Sequence, residues 1–126
     1  MLFRSDVKLA NFAPLPDGRV AAFDWEMVGS APATVDLGWY LAVNGSRLAR
    51  PQDAVIARYR ELLEAAIGRR LEQPAWRGLE RLAILGGAIM LLWSKALNVQ
   101  SGLAGAEAEW AWWVDRLTAV CEVVRS

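Results

Sequence analysis

The pattern of hydrophobic and polar residues along the chain changes near residue 33. Before that point, short apolar runs alternate with proline, glycine and aspartate, which predicts two short strands over residues 10–15 and 19–23. Pro16-Asp17-Gly18 lies between them, and it suits a tight turn because proline presets φ and glycine accepts a positive φ. The sequence therefore predicts a β-hairpin in this region.

From Thr34 onward the apolar residues recur at helical spacing. The pattern predicts four helices, over about 34–43, 52–67, 74–99 and 110–124. Thr34 is placed to cap the first helix, Asn44-Gly45-Ser46 should end it, and Gly68 should end the second. We therefore expect a mainly α fold with a short β-hairpin at its N-terminus.

Apolar residues make up 55% of the chain, which argues against intrinsic disorder. The longest apolar run, residues 82–93, is too short to span a bilayer and predicts a buried core helix. Nearly all of the seven tryptophans, and Cys121, are also predicted to lie in the core. The first residues lack a signal-peptide pattern, so we expect a soluble, cytoplasmic protein with no membrane partner.

Charge and composition exclude several classes of partner and of reaction for this chain. The chain has 14 Lys and Arg residues and 14 Asp and Glu residues, a balance that gives no support for a nucleic-acid partner. It has no histidine and one cysteine. Histidine-based general base catalysis, the usual zinc sites and a disulfide within the chain are therefore excluded.

Four residues near the N-terminus form a pattern suited to phosphoryl transfer. The carboxylate of Asp6 could accept or orient the proton of an attacking hydroxyl. Asn11 and Asp24, from either side of the hairpin, could share a magnesium ion that bridges nucleotide phosphates. Lys8, between them in sequence, could offset charge on the transferred group. Taken singly, each residue is an ordinary loop residue, so the prediction depends on their joint spacing.

That ordered set resembles the catalytic and metal-binding loops of the protein-kinase-like fold. It resembles most closely the aminoglycoside phosphotransferase and choline-kinase-like family, through D-x-K-x-x-N at 6–11, the hairpin turn, Asp24-Trp25-Glu26, Gly29, Pro32 and Asp36-Leu37-Gly38. The resemblance implies the C-terminal lobe of a protein-kinase-like (α+β) fold. It implies that Asp6 is the catalytic base, that Lys8 contacts phosphate, that Asn11 and Asp24 bind magnesium and nucleotide, and that Asp36 supports the catalytic loop.

The function implied by the resemblance is magnesium-dependent transfer of the γ-phosphoryl group of ATP, or GTP, to a hydroxyl of a small molecule. An aminoglycoside-like or choline-like acceptor would lie between the catalytic loop and the C-terminal helices. Four acidic residues of the predicted helical region are candidates for contacting it: Glu61, Glu64, Glu107 and Glu109. We interpret them as solvated helix-surface residues and assign none to substrate. The sequence predicts neither the acceptor nor the oligomeric state.

The chain departs from the family pattern at its start, where Arg4 and Ser5 replace histidine and glycine. Leu2-Phe3-Arg4-Ser5 also matches one reading frame of a common sequencing-adapter end. We therefore expect residues 1–5 to be a non-native leader and residues 6–126 to be a truncated lobe. Within it, residues 6–33 would hold the catalytic and metal-binding loops and residues 34–126 the helical part.

If the chain is such a fragment, the lobe that grips nucleotide is not part of these 126 residues. We then expect no measurable phosphotransfer by this chain alone, and exposed apolar surface on the hairpin. The alternative is a non-catalytic helical binding module or a pseudokinase-like remnant. A membrane-surface protein is a third, weaker interpretation, because only Arg81 and Lys95 flank the apolar run.

Overall fold

The computed structural model describes residues 2–3, 7–24 and 29–124. The strands are β1 (Leu2–Phe3), β2 (Phe12–Pro14), β3 (Val20–Ala22) and β4 (Gly29–Ser30); the helices are α1 (Thr34–Asn44), α2 (Gln52–Ile67), α3 (Gln73–Gln100) and α4 (Ala106–Val124). Single 3₁₀ turns cover Leu9–Asn11 and Gly45–Arg47. The prediction of a mainly α fold with a short N-terminal hairpin is confirmed.

Strands β2 and β3 form the predicted hairpin, with Phe12 opposite Ala22. In the turn, Gly18 has a φ of 82°, and Asp17 Oδ1 accepts a hydrogen bond from the Arg19 backbone N–H at 3.1 Å. Both strands are shorter than predicted, and β2 begins later than predicted because residues 9–11 close a 3₁₀ turn before it. Strands β1 and β4 make a second small antiparallel pair, in which Phe3 lies opposite Gly29.

Helix α1 lies at the centre of the helical part and packs most extensively against α3, which also packs against α4. The largest fully buried apolar side chains come from these three helices: Leu37, Leu41, Ile84 and Trp113. Thr34 starts α1 but does not cap it, contrary to prediction. Its hydroxyl donates instead to the Leu79 carbonyl of α3 at 2.8 Å, because a buried hydroxyl needs a partner.

The end of α2 follows the prediction, since Gly68 adopts a left-handed φ of 69° directly after Ile67. Glu64 is not a freely solvated acid. Its Oε1 accepts hydrogen bonds from Arg60 Nε at 2.9 Å and from the Leu71 backbone N–H at 3.0 Å. The bond from Arg60 holds the pKa of this carboxyl below its usual range, and the bond from Leu71 fixes the connection to α3.

The prediction of a buried core helix over residues 82–93 is wrong in part. Ala83, Ile84 and Ala88 are buried, but Ile89 is 80% exposed and Trp93 63% exposed. Together with Leu82, Met90 and Leu97 they form an exposed apolar stripe along α3. Helices α1 and α4 pack against α3, where Ala83, Ile84 and Ala88 are buried, and no element in the described part of the chain covers the stripe.

The tryptophans and the cysteine also divide between core and surface. Trp76 and Trp113 are buried as predicted, whereas Trp93 and Cys121 are exposed, contrary to prediction. Helix α3 is long and apolar enough to cross a membrane by length and composition, although 28% of its apolar window is buried within the protein. Core helices of soluble proteins satisfy the same criteria of length and composition.

The prediction of a solvated Glu109 is wrong. Its side chain is 4% exposed and lies 2.8 Å, through Oε1, from Nζ of Lys95, which is 6% exposed. The oxygen has no partner of good hydrogen-bond geometry among the described residues, so the attraction is chiefly that of two charges. This ion pair joins α3 to α4 beside Gly45, in the turn that follows α1.

Candidate functional site

The two predicted magnesium ligands meet at the open end of the hairpin. Asn11 immediately precedes β2 and Asp24 follows β3, so the pairing of these strands brings them together. The Phe23 backbone N–H donates to the Asn11 carbonyl at 2.9 Å. Asn11 Nδ2 lies 3.4 Å from Asp24 Oδ2, which is a long hydrogen bond. Two side chains separated by 13 positions in sequence thus converge on one place.

Asp24 adopts an unusual backbone conformation. Its φ is 64°, and it is the one non-glycine residue with a positive φ in the described part of the chain. A left-handed conformation costs an L-residue about 1–2 kcal/mol, although aspartate and asparagine tolerate it best. Strain of this kind is concentrated at functional sites, so its position beside Asn11 supports a functional role for the pair.

The chemistry of the pair fits magnesium. An amide oxygen and a carboxylate are both hard oxygen donors, and Asn11 is held in place with only 8% of its surface exposed. No group of three or more His, Cys, Asp or Glu side chains occurs among residues 7–24 and 29–124. Magnesium does not need one, because it usually takes one or two protein ligands and completes its shell with phosphates and water.

Lys8 lies in the same loop as Asn11. It is half-buried, and its backbone carbonyl accepts a hydrogen bond from the Asn11 N–H at 2.9 Å. The structure therefore brings Lys8, Asn11 and Asp24 into one loop cluster. Asp6, the predicted catalytic base, lies outside the described residues, as do Arg4, Ser5, Trp25 and Glu26.

Asn44, at the end of α1, holds the loop against the helical part. Its Oδ1 accepts a hydrogen bond from the Leu9 N–H at 3.0 Å, and its Nδ2 donates to the Val7 carbonyl at 3.3 Å and to the Tyr40 carbonyl at 2.9 Å. Asn44 is fully buried, so these partners satisfy its amide. The sequence predicted only that Asn44 would help to end a helix, and it was the family resemblance that implied support of the loop by Asp36.

Asn44→Asp should loosen this loop. The aspartate keeps an oxygen that can accept from Leu9 but can no longer donate to the Val7 and Tyr40 carbonyls, and it buries a negative charge beside them. We expect a loss of about 1–3 kcal/mol in the free energy of unfolding and faster amide exchange at Leu9. Chemical denaturation and hydrogen-exchange NMR would measure the two effects.

Asn98→Asp is the matched control, because the Asn98 side chain has no hydrogen-bond partner among the described residues. It should cost less than about 1 kcal/mol, through the unfavourable charge near the end of α3. Equal stability of the two variants, with unchanged exchange at Leu9, would contradict the role given to Asn44.

A cavity of about 430 Å³ lies beside the loop, between α1 and α2. Its apolar wall consists of Val7, Leu37, Ala54, Val55 and Leu62. Its polar groups are those of Asp36, Tyr40, Arg50, Arg58 and Tyr59. An apolar cavity of this size with a few polar groups is typical of small-molecule sites. Because Val7 lies between Asp6 and Lys8 in the chain, the cavity opens next to the predicted catalytic loop.

Asp36 lies in the first turn of α1 and lines this cavity with Tyr59 of α2. Burial, together with the negative charge of Asp36, raises the pKa of Tyr59. The Tyr59 hydroxyl donates to the Ala33 carbonyl at 2.7 Å, which ties α2 to the start of α1. The predicted support of the catalytic loop by Asp36 stays a prediction.

No family model, curated protein or solved structure matches the chain. The family assignment therefore stays a prediction that depends on the order and spacing of the residues described above.

Sequence reasoning missed three parts of this region. Asn44 carried only a helix-stop signal, the cavity residues carried only helical periodicity, and Lys95 and Glu109 looked like ordinary charges on helices. A mostly apolar neighbourhood around Lys95 (Ala88 to Trp93 before it, with Ser94 between, and Ala96 and Leu97 after it) was the local sign that this lysine could be buried.

Proposed function

We propose that the loop from Asp6 to Asn11, together with Asp24, forms the magnesium–nucleotide end of a phosphotransferase site. The site would move the γ-phosphoryl group of ATP, or GTP, to a hydroxyl of a small molecule. The resemblance to the C-terminal lobe of protein-kinase-like enzymes belongs to the same proposal, as does a cytoplasmic location.

One observation carries the proposal: the convergence of Asn11 and Asp24 across the hairpin, with Asp24 in a left-handed conformation. Neither residue type is informative alone. Asn11 Nδ2 lies 3.4 Å from Asp24 Oδ2, so the two side chains, each with an oxygen that could bind a metal ion, are neighbours in a loop cluster that also contains Lys8. This is the arrangement that two protein ligands of a nucleotide-bound magnesium ion require.

In the proposed reaction, a new bond forms between the acceptor oxygen and the γ-phosphorus, and the bond from that phosphorus to the bridging oxygen breaks. The nucleoside diphosphate leaves, and the hydroxyl proton passes to the carboxylate of Asp6. Lys8 offsets negative charge on the transferred group. Asn11 and Asp24 would hold magnesium, which neutralises charge on the phosphates when it is bound. Catalysis is then mainly positioning and charge stabilisation.

The test measures metal–nucleotide binding, the step in which Asn11 and Asp24 would take part directly. Manganese replaces magnesium, and water-proton relaxation reports a complex of protein, Mn²⁺ and ATP. Asp24→Asn should weaken this complex at least about tenfold, the usual range for damage to a metal site. Asparagine is the substitution of choice because it also tolerates the left-handed backbone, so the fold should survive.

Asp115→Asn provides the control, because Asp115 is exposed on α4, far along the chain from the loop. It should leave the relaxation signal unchanged. If Asp24→Asn and Asp115→Asn gave the same affinity as the unaltered chain, the proposed metal site would be wrong.

A non-catalytic helical module that binds a partner is the second candidate. The exposed apolar stripe on α3, with Ile89 and Trp93 at its centre, is the observation that favours it. Absence of any protein–Mn²⁺–ATP complex, with the chain folded, would shift the balance to this candidate.

A further inference from the structure

The cavity between α1 and α2 is the feature that bears most directly on the acceptor. At about 430 Å³, it has the size of a site for a molecule of one or two rings. Leu37, Val55 and Leu62 give it apolar walls, and Val7 places its edge next to the catalytic loop. A ring lodged against these walls would lie close to the segment that carries Asp6 and Lys8.

The charges around the cavity are not equivalent. Arg58 is paired with Glu61 through an Nη1–Oε2 distance of 2.7 Å. Asp36 provides the carboxylate of the cavity wall, and its negative charge helps to raise the pKa of the Tyr59 hydroxyl. Arg50 has neither an ion-pair nor a hydrogen-bond partner among the described residues. The cavity therefore offers apolar walls and one unpaired guanidinium.

We propose, on the basis of the proposed phosphotransfer, that this cavity takes the acceptor and that the acceptor carries a carboxylate. Its hydrocarbon ring would pack against the apolar walls, its carboxylate would pair with Arg50, and its hydroxyl would face the catalytic loop. Guanidinium–carboxylate pairs combine charge with directional hydrogen bonds, which makes arginine well suited to this role. A polycationic acceptor does not fit, because the unpaired Arg50 would repel it and a single carboxylate, that of Asp36, lines the cavity.

Two small probes test the charge preference on the full 126-residue chain. 3-(4-Hydroxyphenyl)propionate has one ring, one hydroxyl and one carboxylate, whereas tyramine has the same ring and hydroxyl with an amine. Saturation-transfer NMR and isothermal titration calorimetry should detect binding of the propionate and much weaker binding of tyramine. Arg50→Gln should weaken propionate binding about tenfold, the usual consequence of losing one charged hydrogen bond.

Arg47→Gln is the matched control, because Arg47 is exposed in the neighbouring 3₁₀ turn and does not line the cavity. It should leave propionate binding unchanged. Ala54→Phe locates the site, since Ala54 lies on the exposed side of α2 and lines the cavity. The larger side chain should occupy the cavity and abolish binding, with helicity by circular dichroism showing that the chain remains folded.

The outcomes separate this inference from the proposed function. The inference would be overturned if tyramine bound as tightly as the propionate or more tightly. It would also be overturned if neither Arg50→Gln nor Ala54→Phe changed the affinity for the propionate. Neither outcome would affect the result of the Mn²⁺–ATP measurement. Propionate binding that depends on Arg50, in a chain without a Mn²⁺–ATP complex, would support the cavity as a carboxylate site and overturn the phosphotransferase proposal. Binding of neither probe would overturn the cavity assignment alone.

Discussion

Glu109→Gln should destabilise the protein by about 3–5 kcal/mol, because it leaves the ammonium group of Lys95 buried without a counter-charge. Lys95 is 6% exposed and Glu109 4% exposed, so water cannot replace the lost partner. Glutamine has nearly the volume of glutamate, and the change is therefore one of charge more than of packing. The loss is a large share of the 5–15 kcal/mol that stabilises a typical domain. Urea denaturation followed by circular dichroism would measure it.

Glu107→Gln is a close control for this experiment. Glu107 and Glu109 both lie in the first turn of α4, so each substitution removes a similar favourable interaction with the helix dipole. Glu107 is exposed, and its replacement should cost no more than about 0.5–1 kcal/mol. Lys95→Met combined with Glu109→Gln should recover most of the lost stability, because no charge then stays buried. Equal urea-denaturation midpoints for Glu109→Gln and Glu107→Gln would show that the ion pair contributes little to the stability of the protein.

The pair also has a consequence for the candidate site. A Cβ atom on Gly45 would overlap the Glu109 carboxylate, so the turn after α1 packs directly on the ion pair. Gly45 follows Asn44, the residue that holds the loop near Lys8. Loss of the ion pair should therefore disturb the loop as well as the contact between α3 and α4.

Gly38→Ala should be the second most damaging change, with a loss of about 3 kcal/mol or more. A Cβ atom at position 38 would overlap the backbone carbonyl of Ala83, which is part of helix α3 and cannot move aside as a side chain could. Overpacking of a core usually costs 1–3 kcal/mol, and a clash with helix backbone belongs at or above the upper end. Gly87 of α3 belongs to the same contact, since a Cβ atom on it would overlap the Gly38 carbonyl oxygen.

Gly86→Ala tests this explanation with the same substitution in a neighbouring place. A Cβ atom at position 86 would meet nothing within 4 Å, so only helix propensity should change. Alanine at this interior position of α3 should stabilise the protein by about 0.5–1 kcal/mol. The midpoints of thermal and urea denaturation should thus fall for Gly38→Ala and rise for Gly86→Ala. A loss of stability in both would mean that the close approach of α1 and α3 is not the cause.

Local sequence patterns determined much of the fold. Helical periodicity predicted all four helices to within a few residues at most of their ends, Gly68 marked the end of α2, and Pro16-Asp17-Gly18 marked the hairpin turn. These features depend on residues a few positions apart, and the short-range rules for turns, caps and periodicity describe them well. The order of Lys8, Asn11 and Asp24 around the hairpin also followed from the sequence.

Other features were decided by contacts between residues far apart in the chain. Thr34 bonds to α3 instead of capping α1, and Asn44 holds a loop more than 30 positions away. Lys95 and Glu109 are buried because α3 and α4 meet at those residues, whereas Trp93 and Cys121 are exposed because no element in the described part of the chain covers them. Hydrophobic spacing shows that a helix has an apolar face, but only the packing of the helices determines which part of that face is removed from water.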